Sequence, residues 1–286
     1  MKALSFIINA NILIAVAAVS LAVATQVQLG LSPQFQTYLV VMFLASLFDY
    51  NLHRIIAVHY KKGSSISGKE KWASEHLKLL KIIIVITSAG LVVSLFFVKV
   101  VVLYILVPLA LLSFLYSIPI PGKRKRQLWL LGIPGMKTLL IALVWTSATV
   151  LIPVLQPGPF LNHMSVMLIL IERFAFIFAI AIPFDTRDME VDKLAGIKTI
   201  PITIGEKPAL VFSNIVMSIS LTVAFFHYHA ESMTFILPAY FISVGLTLYF
   251  INSAKMKSLQ YYHHGILDGS IILHGILISL SFFLFN

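Results

Sequence analysis

Of the 286 residues only 11 are acidic, and four of these stand close together: Asp185, Asp188, Glu190 and Asp192. The spacing of Asp185, Asp188 and Asp192 is i, i+3, i+7, which on a helix puts three carboxylates on one face and turns Glu190 away. Like charges so placed repel, more strongly beside a bilayer than in water. The group therefore calls for a cation. Hard oxygen donors with space for water suit Mg²⁺, which takes one or two carboxylates and completes its octahedron with water or phosphate oxygens. The plainer alternative is that Asp185 and Asp188 favour a helix amino terminus, with Arg187 and Lys193 neutralising the rest.

Basic residues gather in the segments that would face this ledge. The run YSIPIPGKRKRQLWLLGIPGMK holds Lys123 to Arg126 and, further on, Lys137. Arg offers a planar fork and Lys a point charge to phosphate oxygens, although most such runs simply sit at anionic headgroups. We assign phosphate duty to Lys123 and Arg124, surface duty to Lys125 and Arg126, and weaker candidacy to Lys198 and Lys137. Other chemistry-bearing residues have plainer readings. Glu172 and Arg173 point about 100° apart and, at 1.5 Å per residue, lie ~18–20 Å from Asp185, which favours structural pairing between helices. Asp268 with His263 and His264 reads as a helix-end cap. His227 and His229 lie too far away to share the chemistry.

The elements that position these residues are membrane spans. The chain is 59% hydrophobic and 11% charged, against ~25% charged in soluble domains. Its apolar runs of roughly 18–24 residues suffice to cross a ~30 Å hydrocarbon core. Spans are expected near 4–25, 35–57, 79–98, 100–117, 136–155, 164–184, 209–229, 233–252 and 265–285, forming one all-α domain over 1–286. The first run, with Lys2 ahead of it and Ala22-Val23-Ala24 near its end, also fits a cleaved signal, but its length favours a retained span. All but two of the 21 basic residues fall on the side of the amino terminus, the exceptions being Lys99 and Arg173. The positive-inside rule then expects the amino terminus in the cytoplasm and, with nine spans, the carboxyl terminus outside a plasma or inner membrane. The net charge of +10 is thus one-sided and needs no nucleic acid. Absence of cysteine excludes disulfides, thiolate nucleophiles and zinc–thiolate or iron–sulfur sites.

The stretch FDTRDMEVDKLAGIKTIPITIG resembles the second aspartate motif of the UbiA-type intramembrane prenyltransferases, D-x-x-D-x-E-x-D-x-x-x-G-x-x-T-x-P-x-x-x-G. Tyr116, Lys123 and Arg124 match the tyrosine and the Lys-Arg pair usual after the fourth span. The resemblance implies a UbiA-like helical bundle whose cytoplasmic mouth binds a prenyl diphosphate through Mg²⁺ while its apolar interior holds the isoprenoid tail. Asp185, Asp188 and Asp192 would be the catalytic, metal-side carboxylates. Mg²⁺ and basic side chains would stabilise the departing diphosphate, and an aromatic or lipid acceptor would attack the allylic cation.

The family's first motif, N-x-x-x-D-x-x-x-D, falls on FLASLFDYNLHRII, where Ala45, Asp49 and His53 take the three positions and Arg54 follows. Ala cannot ligate, and imidazole is a poor Mg²⁺ ligand. The Arg-Pro pair expected next is replaced by KKGSSISGKEK. In one reading Asp49 keeps a metal contact while Arg54, His53 and Asn51 hold the diphosphate in place of the first Mg²⁺. In the other the protein is a weak or non-catalytic relative that binds isoprenoid lipids. A secondary transporter, the rival from another class, predicts broken helices in matching halves and mid-membrane polar groups, whereas the ionisable residues here crowd one surface.

Overall fold

In a computed structural model of the chain, the residues described are 2–60, 68–117, 133–156 and 162–285, and among them there is helix but no strand. A backbone surrounded by lipid must satisfy its own polar groups, which a helix does within one segment. Seven helices are long and apolar enough to cross a membrane: Thr37–His59, Leu77–Leu95, Met136–Val154, His163–Ala195, Glu206–Ala230, Thr234–Asn252 and Tyr262–Leu284. A bent pair, Ala3–Asn9 with Ile12–Gln28, brings the number to eight when counted as one span, and an apolar helix over Val100–Ser117 stands where the remaining expected span was placed. The all-α reading and the positions of the spans agree with the sequence.

We number the helices that matter here α1 (Lys2–Asn9), α2 (Ile12–Gln28), α3 (Thr37–Tyr60), α4 (Gly68–Glu75), α5 (Leu77–Leu95), α6 (Val100–Ser117), α7 (Met136–Val154), α8 (His163–Ala195), α9 (Ile200–Ile204), α10 (Glu206–Ala230), α11 (Leu237–Asn252) and α12 (Asp268–Phe285). The expected first span is in fact α1 and α2 bent by 70° at Asn11, whose φ of 61° is left-handed. Asparagine tolerates that conformation better than most residues. The break frees backbone groups, and Asn51 on α3 splints it. Its amide donates to the Ala10 carbonyl at 3.0 Å and the Leu47 carbonyl at 2.7 Å, while its oxygen accepts from Asn11 at 3.1 Å. Asn51 is fully buried in this role, which removes it from the side chains expected to meet a diphosphate.

The α8 helix is the axis of the bundle, packed most extensively on α10 and also on α7, while α2 packs on α12 and α3. Its 33 residues would span about 50 Å, well beyond a ~30 Å hydrocarbon core. The expected sixth span of 164–184 therefore runs on as unbroken helix through the acidic motif. Pro183 has no N–H to donate to the Ala179 carbonyl one turn back. Ser213 of α10 donates to that carbonyl at 2.7 Å instead, so the kink-prone turn before Asp185 is tied to a neighbour.

Glu172 and Arg173 are buried and pair with other helices, as the sequence suggested. Gln28 of α2 bridges them, accepting from Arg173 at 2.6 Å and donating to Glu172 at 2.6 Å. Arg173 also reaches the Leu21 carbonyl and Thr149, Tyr228 donates to Glu172, and Ser220 donates to the Glu172 carbonyl. Four helices are joined by this knot. Around it lies an apolar core that includes Leu21, Phe176, Ile180, Met217, Tyr240, Val244 and Ile271. Peripheral helices such as α5 instead present Val85, Ile86, Val92 and Val93 outward, as a lipid-facing surface should.

The contact of α2 with α12 depends on Gly275. A Cβ there would stand 2.5 Å from the Ser20 carbonyl carbon and 2.6 Å from its oxygen, whereas one at Gly245 would meet nothing. Gly275→Ala is therefore expected to destabilise the detergent-solubilised protein by about 1–3 kcal/mol. Gly245→Ala should leave its melting temperature unchanged or slightly raised.

Candidate active site

The last turns of α8 carry the acidic motif, and the helical spacing brings its three aspartates together as expected. All three converge on one ammonium. Lys137 Nζ lies 2.6 Å from Asp192, 3.3 Å from Asp185 and 3.9 Å from Asp188. Asp185 and Asp192 are buried, while Asp188 is partly open and Glu190 faces outward. Thr138 donates to the second Asp185 oxygen at 2.5 Å. Asp188 is gripped by Arg187, whose Nε and Nη2 each donate to it at 2.8 Å. A buried carboxylate is tolerable only when paired and hydrogen-bonded, and each of these aspartates meets that condition.

The glycines and proline of the motif shape its turns. Gly196 ends α8 in the left-handed conformation, φ 75°, so that the Ile197 N–H can bond the Asp192 carbonyl at 2.9 Å. Thr199 and Pro201 open the short α9, and Gly205, φ 90°, turns the chain into α10. Lys137 is positioned from the same loop. Gly135, φ 75°, precedes α7 and donates its N–H to the Lys198 carbonyl at 3.0 Å. That hydrogen bond registers the start of α7 against the loop after the aspartates. Lys198 contributes its carbonyl here, and its side chain is exposed.

The degenerate first motif is built differently. Asp49 on α3 accepts from Ser113 of α6, with both oxygens 2.9 Å from the hydroxyl, and has His53 one turn on at 3.4 Å. His53 packs edge-on to Phe114. Asp49 is thus engaged by a hydroxyl and an imidazole. Tyr116 lies in the last turn of α6, but its side chain, together with Lys123 and Arg124, falls outside the described residues.

Sequence reading missed a basic cluster at the same end of the bundle. Arg187 Nη1 lies 2.7 Å from His264, and His264 lies 3.5 Å from Asp268. The half-buried Lys69 on α4 feels Arg54, Asp268 and Arg187; burial first, then the two arginines, push its ammonium down to about 7, against the pull of Asp268. Nothing in the spacing of KKGSSISGKEK marks Lys69 apart from its neighbours. Only the fold of α4 onto α3 does. His263 and His264 stand before Asp268 in the turn that leads into α12, consistent with a helix-end role.

The donor set can be weighed against a divalent cation. Three hard carboxylates aimed at one point suit a single Mg²⁺. Yet among the described residues no three acidic or histidine side chains are grouped closely enough to hold a metal, and the ammonium of Lys137 lies within 4 Å of all three aspartates. By chemistry alone, Asp185, Asp188 and Asp192 are the residues that would suit one metal ion. The first motif, with Ala45 and His53, offers no matching set for a second.

Burying a charged Lys69 costs stability. Its pKa in the folded protein lies below that of the unfolded chain, so the unfolded chain binds more protons between about pH 7 and pH 10. Stability gains from this group as pH rises through that window, and the full cost is present below it. Lys69→Met should therefore raise the melting temperature most at pH 6, with the gain shrinking towards pH 10. A gain that does not vary with pH contradicts this account.

Comparison with known proteins bears on the whole architecture. The model of the UbiA prenyltransferase family matches residues 75–260. A UbiA homolog from Archaeoglobus fulgidus, solved with GPP and Mg²⁺, superposes with a TM-score of 0.60 at 15% identity, covering 96% of this chain and 99% of that one. The apo structure of a UbiA homolog from Aeropyrum pernix K1 gives 0.60 at 12% identity over 94% and 97%. A digeranylgeranylglyceryl phosphate synthase gives 0.56 at 16% identity over 99% and 98%. No curated protein sequence matches the chain. The structural likenesses establish a common fold. Together with the spans and the match across the family's motif, they make this chain an integral, multi-pass membrane protein of the UbiA prenyltransferase family.

Proposed function

We propose that the protein transfers a prenyl group from a prenyl diphosphate to an aromatic or lipid acceptor within the membrane, with Mg²⁺ at the α8 ledge. The observation that carries this reading is the convergence of Asp185, Asp188 and Asp192 on one point at the polar end of an apolar bundle. The A. fulgidus homolog solved with GPP and Mg²⁺, and another structure of it with DMAPP and Mg²⁺, support the choice of donor and metal. Mg²⁺ held by these carboxylates would neutralise the charge that develops on the leaving diphosphate. Positive-inside patterning orients the site to the cytoplasm, with the amino terminus inside, the carboxyl terminus outside and residues 1–286 acting as one domain.

The chain's own residues divide the remaining work. Arg187 is anchored by Asp188 and lies over the Phe184 ring, 5.3 Å from its centroid, so its fork is already oriented. Together with Arg54 it supplies positive charge where the first motif lacks carboxylates, and an arriving anion would favour the protonated form of Lys69. In this reading Tyr116, Lys123, Arg124 and Lys198 also serve the diphosphate. The apolar bundle holds the tail and keeps water from an allylic cation. No covalent nucleophile is required. The diphosphate leaves by heterolysis of the C–O bond, and the acceptor supplies the new bond.

The degeneracy at Ala45 and His53 favours one alternative, a relative that binds prenyl diphosphates without turning them over. Incubating purified protein with Mg²⁺, prenyl diphosphates of several lengths and a panel of acceptors distinguishes the two by diphosphate release. We expect release. Asp188→Ala and Asp192→Ala should each lower it by about 100-fold or more while the bundle stays folded. Unchanged kinetics in both variants would remove the site assignment, and binding without release from any donor would establish the alternative.

A further inference from the structure

Lys137 occupies the point that the metal would need. Its ammonium makes the 2.6 Å bond to Asp192 and stands 3.3 Å from Asp185 and 3.9 Å from Asp188, and it is mostly buried. Among the described residues the cations paired with the three carboxylates are Lys137 and the Arg187 that grips Asp188, so those pairs alone leave no room for a further dication without excess positive charge. Adding a dication beside a retained ammonium would leave a net positive charge in a water-poor site, which is unfavourable. Removing the ammonium to solvent while the metal enters breaks a buried, charge-assisted hydrogen bond. Neither route is good without an additional anion. A diphosphate provides that anion: its oxygens complete the metal's coordination and also give the displaced ammonium a new partner. The lysine stem has four rotatable carbons, and its backbone is held by the Gly135 to Lys198 hydrogen bond, so the head group can move while its base stays in register.

We propose that Lys137 is the resident counter-ion of the aspartate ledge, keeping the metal position closed until a diphosphate arrives, so that metal and diphosphate load together. The inference rests on the diphosphate reading above and adds a positioning residue with a thermodynamic role. Coupling of this kind is reciprocal: whatever factor diphosphate adds to metal affinity, metal adds to diphosphate affinity. A lysine with a merely structural role would change stability without changing that factor.

The test uses the full chain in detergent or nanodiscs, Mn²⁺ read by electron paramagnetic resonance, and inorganic diphosphate. In the wild-type protein diphosphate should tighten Mn²⁺ binding by about tenfold or more, within the usual range of coupling between sites. In Lys137→Met, and in Lys137→Gln as a second neutral variant, Mn²⁺ alone should bind about tenfold tighter than in the wild type, and the coupling should fall below about threefold. Should both variants fail to fold, amine labelling of the wild type reads the same event. Lys137 should be protected without ligand or with Mn²⁺ alone, and its labelling rate should change only when Mn²⁺ and diphosphate are present together. Equal metal affinity and equal coupling in wild type and variant, or a labelling rate blind to both ligands, overturns the role of Lys137 while leaving the diphosphate site intact. If neither Mn²⁺ nor diphosphate binds the wild type, alone or combined, the diphosphate reading falls and takes this inference with it.

Discussion

Charge compensation beside hydrocarbon is the constraint on which the architecture turns. Three aspartates at the end of a bilayer-spanning helix remain ionised only if cations and hydrogen-bond donors stand within a few ångströms. Lys137, Arg187 and Thr138 fill that requirement, and each comes from a place the fold must guarantee. Two arrive from the start of α7, which is tied to the loop after α8. The third comes from α8 itself and is steadied by Phe184 and His264. The ledge is therefore preorganised by protein cations, and a metal entering it has to displace one of them.

The same logic recurs deeper in the bundle with neutral groups. At Asn11 the broken entry helix is splinted by Asn51, at Pro183 the orphaned carbonyl is taken by Ser213, and between Glu172 and Arg173 the mediator is Gln28. In each case an irregularity or a charge inside the membrane is matched by a donor or acceptor from a different helix. These pairings tie α2, α3, α7, α8 and α10 into one unit. They also give the polar end of the bundle a rigid footing on which side chains can be aimed.

The two aspartate motifs differ in the contacts they make. The α8 motif retains all of its carboxylates, and Gly196, Pro201 and Gly205 shape its turns. On α3, Asp49 is drawn into a contact with Ser113 and His53, and positive charge from Arg54, Lys69 and Arg187 gathers at the same end of the bundle. A site that replaces a divalent ion with fixed cations would lose some charge density on the leaving group. It would gain independence from a second metal.

Spans, their order, the helical register of the three aspartates and the one-sided charge were all legible in the residues, because hydrophobic length and a period of 3.6 are local properties of the chain. The family motif was legible for the same reason, since its glycines and proline act on their own backbone. What tertiary structure alone decided is which groups meet. Asn51 sits two residues from Asp49 and reads as part of the site, yet a helix break forty residues earlier claims it. Lys137 reads as a weaker phosphate candidate, and the fold sets it among carboxylates. Lys69 carries no mark in a loop full of lysines until α4 packs against α3. Long-range contacts assign these roles because an amide, an ammonium or a carboxylate takes whatever complementary charge the packing brings within reach, and spacing along the chain does not encode that distance.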